Sequence, residues 1–333
     1  MNKLAVQGII PKAASVESLT DQASPATTMK TTMISRLALT TIVTLSAMLA
    51  VDSGYSFAQQ SNDSAGIDVR VMSFNIRNGR ANDGDNRWEH RKEFAADVIR
   101  DAKLDVVGLQ EAFRFQLDDL RTQLPDFQEV GEGRDGDKKG EYSAILYCGN
   151  RFSALDSGTF WLSDTPEVKS RHWGNRYLRI CTWVRLKDKN TNQCFYVYNT
   201  HFDHQSQNAR LKSAQLIAKR INDRAHKNPF LLTGDFNADE DNPVIMYIKD
   251  KNPTLTDSPI ALIDTFRKLH PEKKSVGTGG GFEGRADGKK IDYVFVQANA
   301  EVISAKIIRT ERDGRYPSDH SPVSAEVRLS PKQ

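Results

Sequence analysis

Cysteine is scarce in this 333-residue chain: Cys148, Cys181 and Cys194 are the only three. That excludes a disulfide-built scaffold, and their spacing is not that of a zinc site. Cys181 and Cys194 fall on neighbouring expected strands, so they are the pair expected to bridge in an oxidising compartment. Charge of either sign in excess is also missing. The net charge of +3 demands no polyanionic partner. The one long apolar run, residues 37–51, is too short and too rich in threonine for a good membrane span. No His-Glu-x-x-His helix and no Gly-x-Ser-x-Gly elbow occurs, which leaves a zinc protease or a serine hydrolase little support. The glycine-rich stretch 277–288 leads into a strand rather than a helix, so it is not a P-loop. No internal repeat or linker divides the chain.

What is present begins with a change of composition near residue 60. Residues 1–32 are rich in Ser, Thr and Ala without period, and read as a disordered lead or an overlong start. Residues 33–58 carry Arg36, the apolar run, and then Ser56-Phe57-Ala58, small residues placed for cleavage before Gln59. This is the pattern of a secretory signal, and it predicts a periplasmic or secreted protein cut near Ala58. Removing those residues takes the net charge from +3 to +2, still without the electrostatics of a dedicated DNA binder.

From residue 67 to 329 strand and helix patterns interleave. Strands are expected at 67–74, 105–109, 142–147, 158–162, 178–186, 194–199, 230–233, 291–296, 302–309 and 323–329. Helical spacing covers 88–102, the stretch stopped by Pro125, and 205–223, with short helices at 243–249 and 263–269. One α/β domain fits this order.

Several strands end in polar side chains. Thr233-Gly234-Asp235-Phe236-Asn237 follows an apolar run, so an acid and an amide reach the rim of a sheet, where burial requires partners. Asn75 and Glu111 end two other strands and together offer an amide oxygen and a carboxylate, a donor set suited to Mg²⁺. Asn199-Thr200-His201-Phe202-Asp203-His204 brings His201 to the rim as a phosphate contact or an acid, with zinc ligation the weaker alternative. Asp319 and His320 are neighbours whose side chains point apart, so His320 needs another carboxylate. Asp292, a lone acid entering an apolar strand, supplies one.

Taken in order, Ser73-Phe74-Asn75, Gln110-Glu111, Asn199-Thr200-His201, Gly234-Asp235-Phe236-Asn237, Ile291-Asp292-Tyr293 and Ser318-Asp319-His320 resemble the endonuclease/exonuclease/phosphatase superfamily, the DNase I-like group. The resemblance runs from about Val69 to Val327. It implies a four-layer α/β sandwich with two central, mostly antiparallel sheets. It also implies that Asn75 and Glu111 hold Mg²⁺ or Mn²⁺ with Asp319 beside the metal. Asp235 and Asn237 would aim water at phosphorus. His320, held by Asp292, would donate to the scissile phosphate, and His201 would stabilise the transition state. The loops carrying Arg77, Arg179 and Arg285 would contact substrate. The resemblance leaves phosphatase, phosphodiesterase and nuclease open, on a small molecule or a nucleic acid. The stretches around His201–His204 and Phe282 look most like a secreted bacterial branch that includes sugar-phosphate phosphatases. The chain is expected to act as a monomer without a stable protein partner. A non-catalytic binding module on the same fold is the other class, and it would be expected to have lost some of these acids and histidines.

Overall fold

Short strands rich in Val, Ile, Phe and Tyr bury both faces only by stacking into sheets covered by helices. The structure, a computed structural model, describes residues 66–252 and 257–331. The expected signal segment and the residues before it lie outside the described residues. In chain order the elements are β1 (Ile67–Asn75), α1 (Trp88–Asp101), β2 (Val106–Gln110), α2 (Arg114–Gln123), β3 (Phe127–Val130), β4 (Ile145–Cys148) and β5 (Phe152–Trp161). Then come β6 (Ile180–Asp188), β7 (Cys194–His201), α3 (Gln207–Asn222), β8 (Phe230–Asp235), α4 (Pro243–Ile248) and β9 (Leu262–Asp264). The last are α5 (Thr265–Leu269), β10 (Asp292–Gln297), β11 (Glu301–Ile307) and β12 (Val323–Leu329). No helix among the described residues is long and apolar enough to cross a membrane.

The strands form two six-stranded sheets, ordered β11-β12-β1-β2-β4-β3 and β5-β6-β7-β8-β10-β9. Each sheet has one parallel pairing, β1 with β2 and β7 with β8, and is otherwise antiparallel. Val71, Val106 and Ile145 of the first sheet pack on Val184, Val197 and Leu231 of the second. Outside the first sheet lie Phe94, Ile99 and Leu120 of α1 and α2, and outside the second lie Ile217, Ile221 and Ile245 of α3 and α4. The result is helix, sheet, sheet, helix, the four layers expected. Helix starts are satisfied locally: Ser206 accepts from the Ala209 N–H, and Asn242 accepts from the Val244 N–H ahead of Pro243.

Three expectations change. Residues 262–264 form a strand before the short helix, with Asp264 both the strand's last residue and the helix cap. β3, half exposed and without strict alternation, was not anticipated. Cys181 and Cys194 do lie on neighbouring strands, but the register sets Cys181 against Thr200 and Lys187 against Cys194. Six positions at about 3.4 Å each put the thiols far beyond disulfide reach, and both are free.

Between the sheets sits one fully buried polar knot. The Asn199 amide donates to the carbonyls of Leu109 (2.8 Å) and Ala144 (2.9 Å), and its oxygen accepts from Gln110 (2.7 Å) and Thr233 (3.0 Å). Every bond the Asn199 amide needs is made, so it ties the sheets rather than weakening them. It requires glycine at 108: a Cβ there would stand 2.1 Å from Thr233 Oγ1 and 2.6 Å from Asn199 Oδ1. Gly108→Ala is therefore expected to destabilise the fold by about 2–3 kcal/mol, read as a lower urea midpoint. An unmoved midpoint would show that the sheets are not held at this separation.

Candidate active site

The ends of five strands converge on one rim. The parallel ladder sets His201 beside Asp235, and the antiparallel ladder sets Asp235 directly opposite Asp292. Asn75 ends β1, and Glu111 follows β2 in a left-handed turn (φ 61°). Arg77 (φ 58°) and Asn237 (φ 47°) share that conformation, which costs roughly 1–3 kcal/mol each unless the surroundings impose it. Here they do: the Arg77 N–H binds Asn75 Oδ1 (3.0 Å), the Asn78 N–H binds Glu111 Oε2 (2.8 Å), and the Asn237 N–H binds Asp235 Oδ1 (2.9 Å).

Asn75 is the hub of the acids. Its Nδ2 donates to Glu111 Oε1 (3.1 Å) and to Asp235 Oδ2 (3.0 Å). The loop before β12 closes the other side, where Ser318 Oγ donates to the Asn75 carbonyl (2.7 Å) and accepts the His320 N–H (3.3 Å). His320 Nδ1 lies 2.9 Å from Asp292 Oδ2 and 3.9 Å from Asp235 Oδ2. Asp292 is in turn seated by its backbone N–H on Thr278 Oγ1 (3.0 Å). Asn237 Nδ2 donates to the Phe202 carbonyl and to His201 Nε2, both at 3.1 Å, which leaves the lone pair of a neutral ring on that nitrogen.

Electrostatics divide the two histidines. Burial, then the charges of Arg179 and Arg134, hold His201 well below the usual imidazole range. Burial acts against a charged His320 as well, but Asp292 and then Asp235 carry it well above that range. Burial and the facing Asp292 push Asp235 far above ordinary carboxylates, and burial raises Asp319, with Glu111 adding to it. Glu111 goes the other way: burial alone would raise it, but His320, the Asn75 amide and the Asn78 N–H bring it down. One rim thus holds a neutral and a charged imidazole side by side, the separation of states that acid–base work uses.

Oxygen donors crowd the same place. Ligand atoms of Glu111, His201 and Asp235 lie within 4.8 Å of one another, as do those of Asp235, Asp292 and His320. Asp292 Oδ1 is buried without a hydrogen-bond partner among the described residues. Carboxylates and imidazoles grouped this closely make a possible site for a divalent cation.

The expected site residues thus gather, with one exception. Arg77 and Arg179 both line the cleft, about 390 Å³ in volume. Arg77 is committed to Asp83 (3.0 and 2.9 Å) and leans on Asp319 (3.4 Å). Arg179 is only 4% exposed, has no carboxylate partner among the described residues, and leaves its Nε without a hydrogen bond. Arg285 does not join them in the cleft: it is exposed, pairs with Glu283 at 2.9 Å and borders a neighbouring crevice that is lined by Asp319 and shares His320 with the cleft. Sequence reading passed over Arg91, whose buried guanidinium donates to the carbonyls of Ile76, Arg77 and Pro317 and so clamps β1 to the Asp319 loop. Its spacing held the clue, since 91 falls on the same helix face as Trp88, Ala95 and Val98. Tyr177 and His204 stack at 5.9 Å on the cleft wall; His204 stands in the motif that carries His201 but is not among the expected site residues.

Comparison with known proteins finds the Endonuclease/Exonuclease/phosphatase family over residues 72–320. Among solved structures, an endonuclease/exonuclease/phosphatase from Bacteroides vulgatus is 35% identical, with a TM-score of 0.70, covering 79% of this chain and 100% of that one. The mannosyl-6-phosphatase of Bacteroides thetaiotaomicron is 32% identical, with a TM-score of 0.69, covering 78% of this chain and 99% of that one. An uncharacterized protein of Acanthamoeba polyphaga mimivirus, L388, is 28% identical over 163 residues, 46% of this chain and 60% of that protein. The chain spans 60% or less of the length of the curated relatives it matches.

Arg179 generates a two-sided expectation. A buried guanidinium without a counter-ion costs stability, while its chemistry suits a phosphoryl group. Arg179→Met is expected to raise the urea midpoint and to weaken inhibition by inorganic phosphate at least about 10-fold. A lower midpoint with phosphate inhibition intact would make Arg179 a structural residue instead.

Proposed function

This chain belongs to the endonuclease/exonuclease/phosphatase family, whose members hydrolyse phosphoesters, and on that premise we propose that it is an exported phosphoester hydrolase dependent on Mg²⁺ or Mn²⁺. The observation that carries the proposal is the facing pair Asp235 and Asp292, with His320 bound to one and Asn75 to the other. A small phosphomonoester, a sugar phosphate first, is the proposed substrate. The modest cleft, the near-neutral charge and the likeness to a mannosyl-6-phosphatase favour it over a nucleic acid.

In this reading Arg179 receives the phosphoryl oxygens at the cleft wall. Asp235, poised by its raised pKa to take a proton, faces the attacking water, and Asn237 fixes that carboxylate through its N–H. The P–O bond to water forms as the P–O bond to the leaving group breaks, in line. His320, charged and anchored by Asp292, donates its free N–H to a phosphoryl oxygen as charge builds there. Neutral His201 holds the Asn237 amide, and Glu111, Asn75 and Asp319 would hold the cation. When bound, that cation would supply several kcal/mol of charge neutralisation to the phosphoryl group.

Asp235→Asn and His320→Ala are each expected to lower turnover of a sugar phosphate by at least about 10²-fold with circular dichroism unchanged. EDTA is expected to abolish activity and lower the melting temperature, and Mg²⁺ or Mn²⁺ to restore both. Turnover near the parent's in either variant, or indifference to chelation, overturns the assignment; faster cleavage of DNA or RNA than of any sugar phosphate leaves the chemistry and replaces the substrate. Expressed from its first residue in a bacterial host, the protein is expected in the periplasm or medium with Gln59 at its N-terminus by mass spectrometry. An unprocessed cytoplasmic product would remove export from the proposal.

A further inference from the structure

A second cavity, about 750 Å³, opens on the outer face of the second sheet between β5–β7 and α3, and none of its lining residues lines the catalytic cleft. Its floor is a row of rings. Trp183 lies 6.0 Å from Tyr196, and Tyr196 lies 6.1 Å from Tyr198, stacked at 19°. Trp183 rests its edge against Gly158, where a Cβ would stand 3.0 Å from its Nε1. Trp173 adds a ring to the wall.

Two features separate this cavity from an ordinary crevice. Tyr196, Tyr198 and Trp183 line the cavity, and among the described residues their hydroxyls and indole N–H have no protein hydrogen-bond partner; none of the three is a sealed-in polar atom, so all stay open to the cavity. They are donors that water meets in the open cavity and that the oxygen atoms of a ligand can take over. The charges around the rim, by contrast, are already satisfied. Arg220 pairs with Glu167 and Lys219 with Asp223; Arg224 donates to the Ile221 and Asn228 carbonyls. Asp164 accepts the Trp173 indole N–H at 2.7 Å.

We propose that this cavity is a second binding site, for the pyranose rings of a neutral saccharide. Such a ring presents an apolar C–H face to the aromatic row and oxygen acceptors to the unpaired hydroxyls and indole. It needs no cation, and the rim offers none free. A nucleic acid strand would stack on the same rings but requires unpaired lysines or arginines along its phosphates. A pocket of this size suits a ligand of a few rings. The site is separate from the catalytic one, so it would hold a glycan without passing it to the cleft.

The full chain carries its own probe, because Trp173 and Trp183 both line the cavity. Titration with cellotriose, maltotriose and mannotriose is followed by tryptophan emission. At least one is expected to give a saturable change with Kd in about the millimolar range. Trp183→Ala is expected to weaken it at least about 10-fold. Tyr198→Phe, which keeps the ring and deletes the hydroxyl, is expected to weaken it about 5-fold. Phosphoester turnover is expected to be unchanged in both. No saturable change with any trisaccharide overturns the proposal. So does equal binding by the parent and both variants, or tighter binding of a short oligothymidylate that Trp183→Ala abolishes.

Discussion

Two carboxylates face each other across the β8–β10 ladder, Asp235 opposite Asp292, each about 1% exposed. Like charges directly opposite on a sheet repel, and burial strengthens the repulsion. The surrounding rim answers that one problem. His320 stands within 2.9 Å of one acid and 3.9 Å of the other, and carries the proton both need. The Asn75 amide and the Asn237 N–H take up the Asp235 oxygens. Glu111 and Asp319 then add two more acids, against which the described residues set mainly His320 and Arg77. Such an arrangement suits a cation, which is why one belongs to the function proposed above.

The geometry around those acids depends on layers beneath them. Asn199 binds both sheets at one depth below the rim, and Gly108 admits it by carrying no side chain. A change in sheet separation would move Asn75 and Glu111, which leave the first sheet, relative to Asp235 and His201, which leave the second. Above the knot, Arg77, Glu111 and Asn237 hold left-handed backbones, each pinned by a side chain of the site itself. The strain and the hydrogen bonds that contain it belong to one unit, so loosening one acid is felt by its neighbours.

Much of this was legible because it is local. Strand ends announce themselves where an apolar run meets a polar residue, and Asn75, Glu111, His201, Asp235 and His320 all sit there. The Asp292–His320 pair followed from the cost of a lone buried acid, and the 2.9 Å contact matches it. What failed was register. Neighbouring strands suggested a Cys181–Cys194 bridge, but pairing set the two six positions apart, and nothing local encodes that offset. Arg285 was placed with the substrate because glycine-rich loops approach phosphates, whereas the folded loop turns it to Glu283. Arg91 drew no attention because arginine is usually exposed, although its helical phase places it inside.

The arginines narrow the substrate further. Arg77 is held by Asp83 and Asp319, Arg91 by backbone carbonyls, and Arg134 by both oxygens of Glu141 (2.6 and 3.0 Å). Among the described residues, Arg179 is the arginine that lines the cleft without a carboxylate of its own. A strand of nucleic acid presents phosphate after phosphate, and proteins that grip one supply unpaired cations along its path. One buried, uncompensated guanidinium beside a cation-seeking cluster of acids suits a single phosphoryl group instead. Tyr177, with Arg134 5.0 Å above its ring and His204 stacked on it, would meet the ester's organic half at the wall. Recognition of one phosphate and one neighbouring ring or polyol is the chemistry of the sugar phosphate proposed above more than of a polymer.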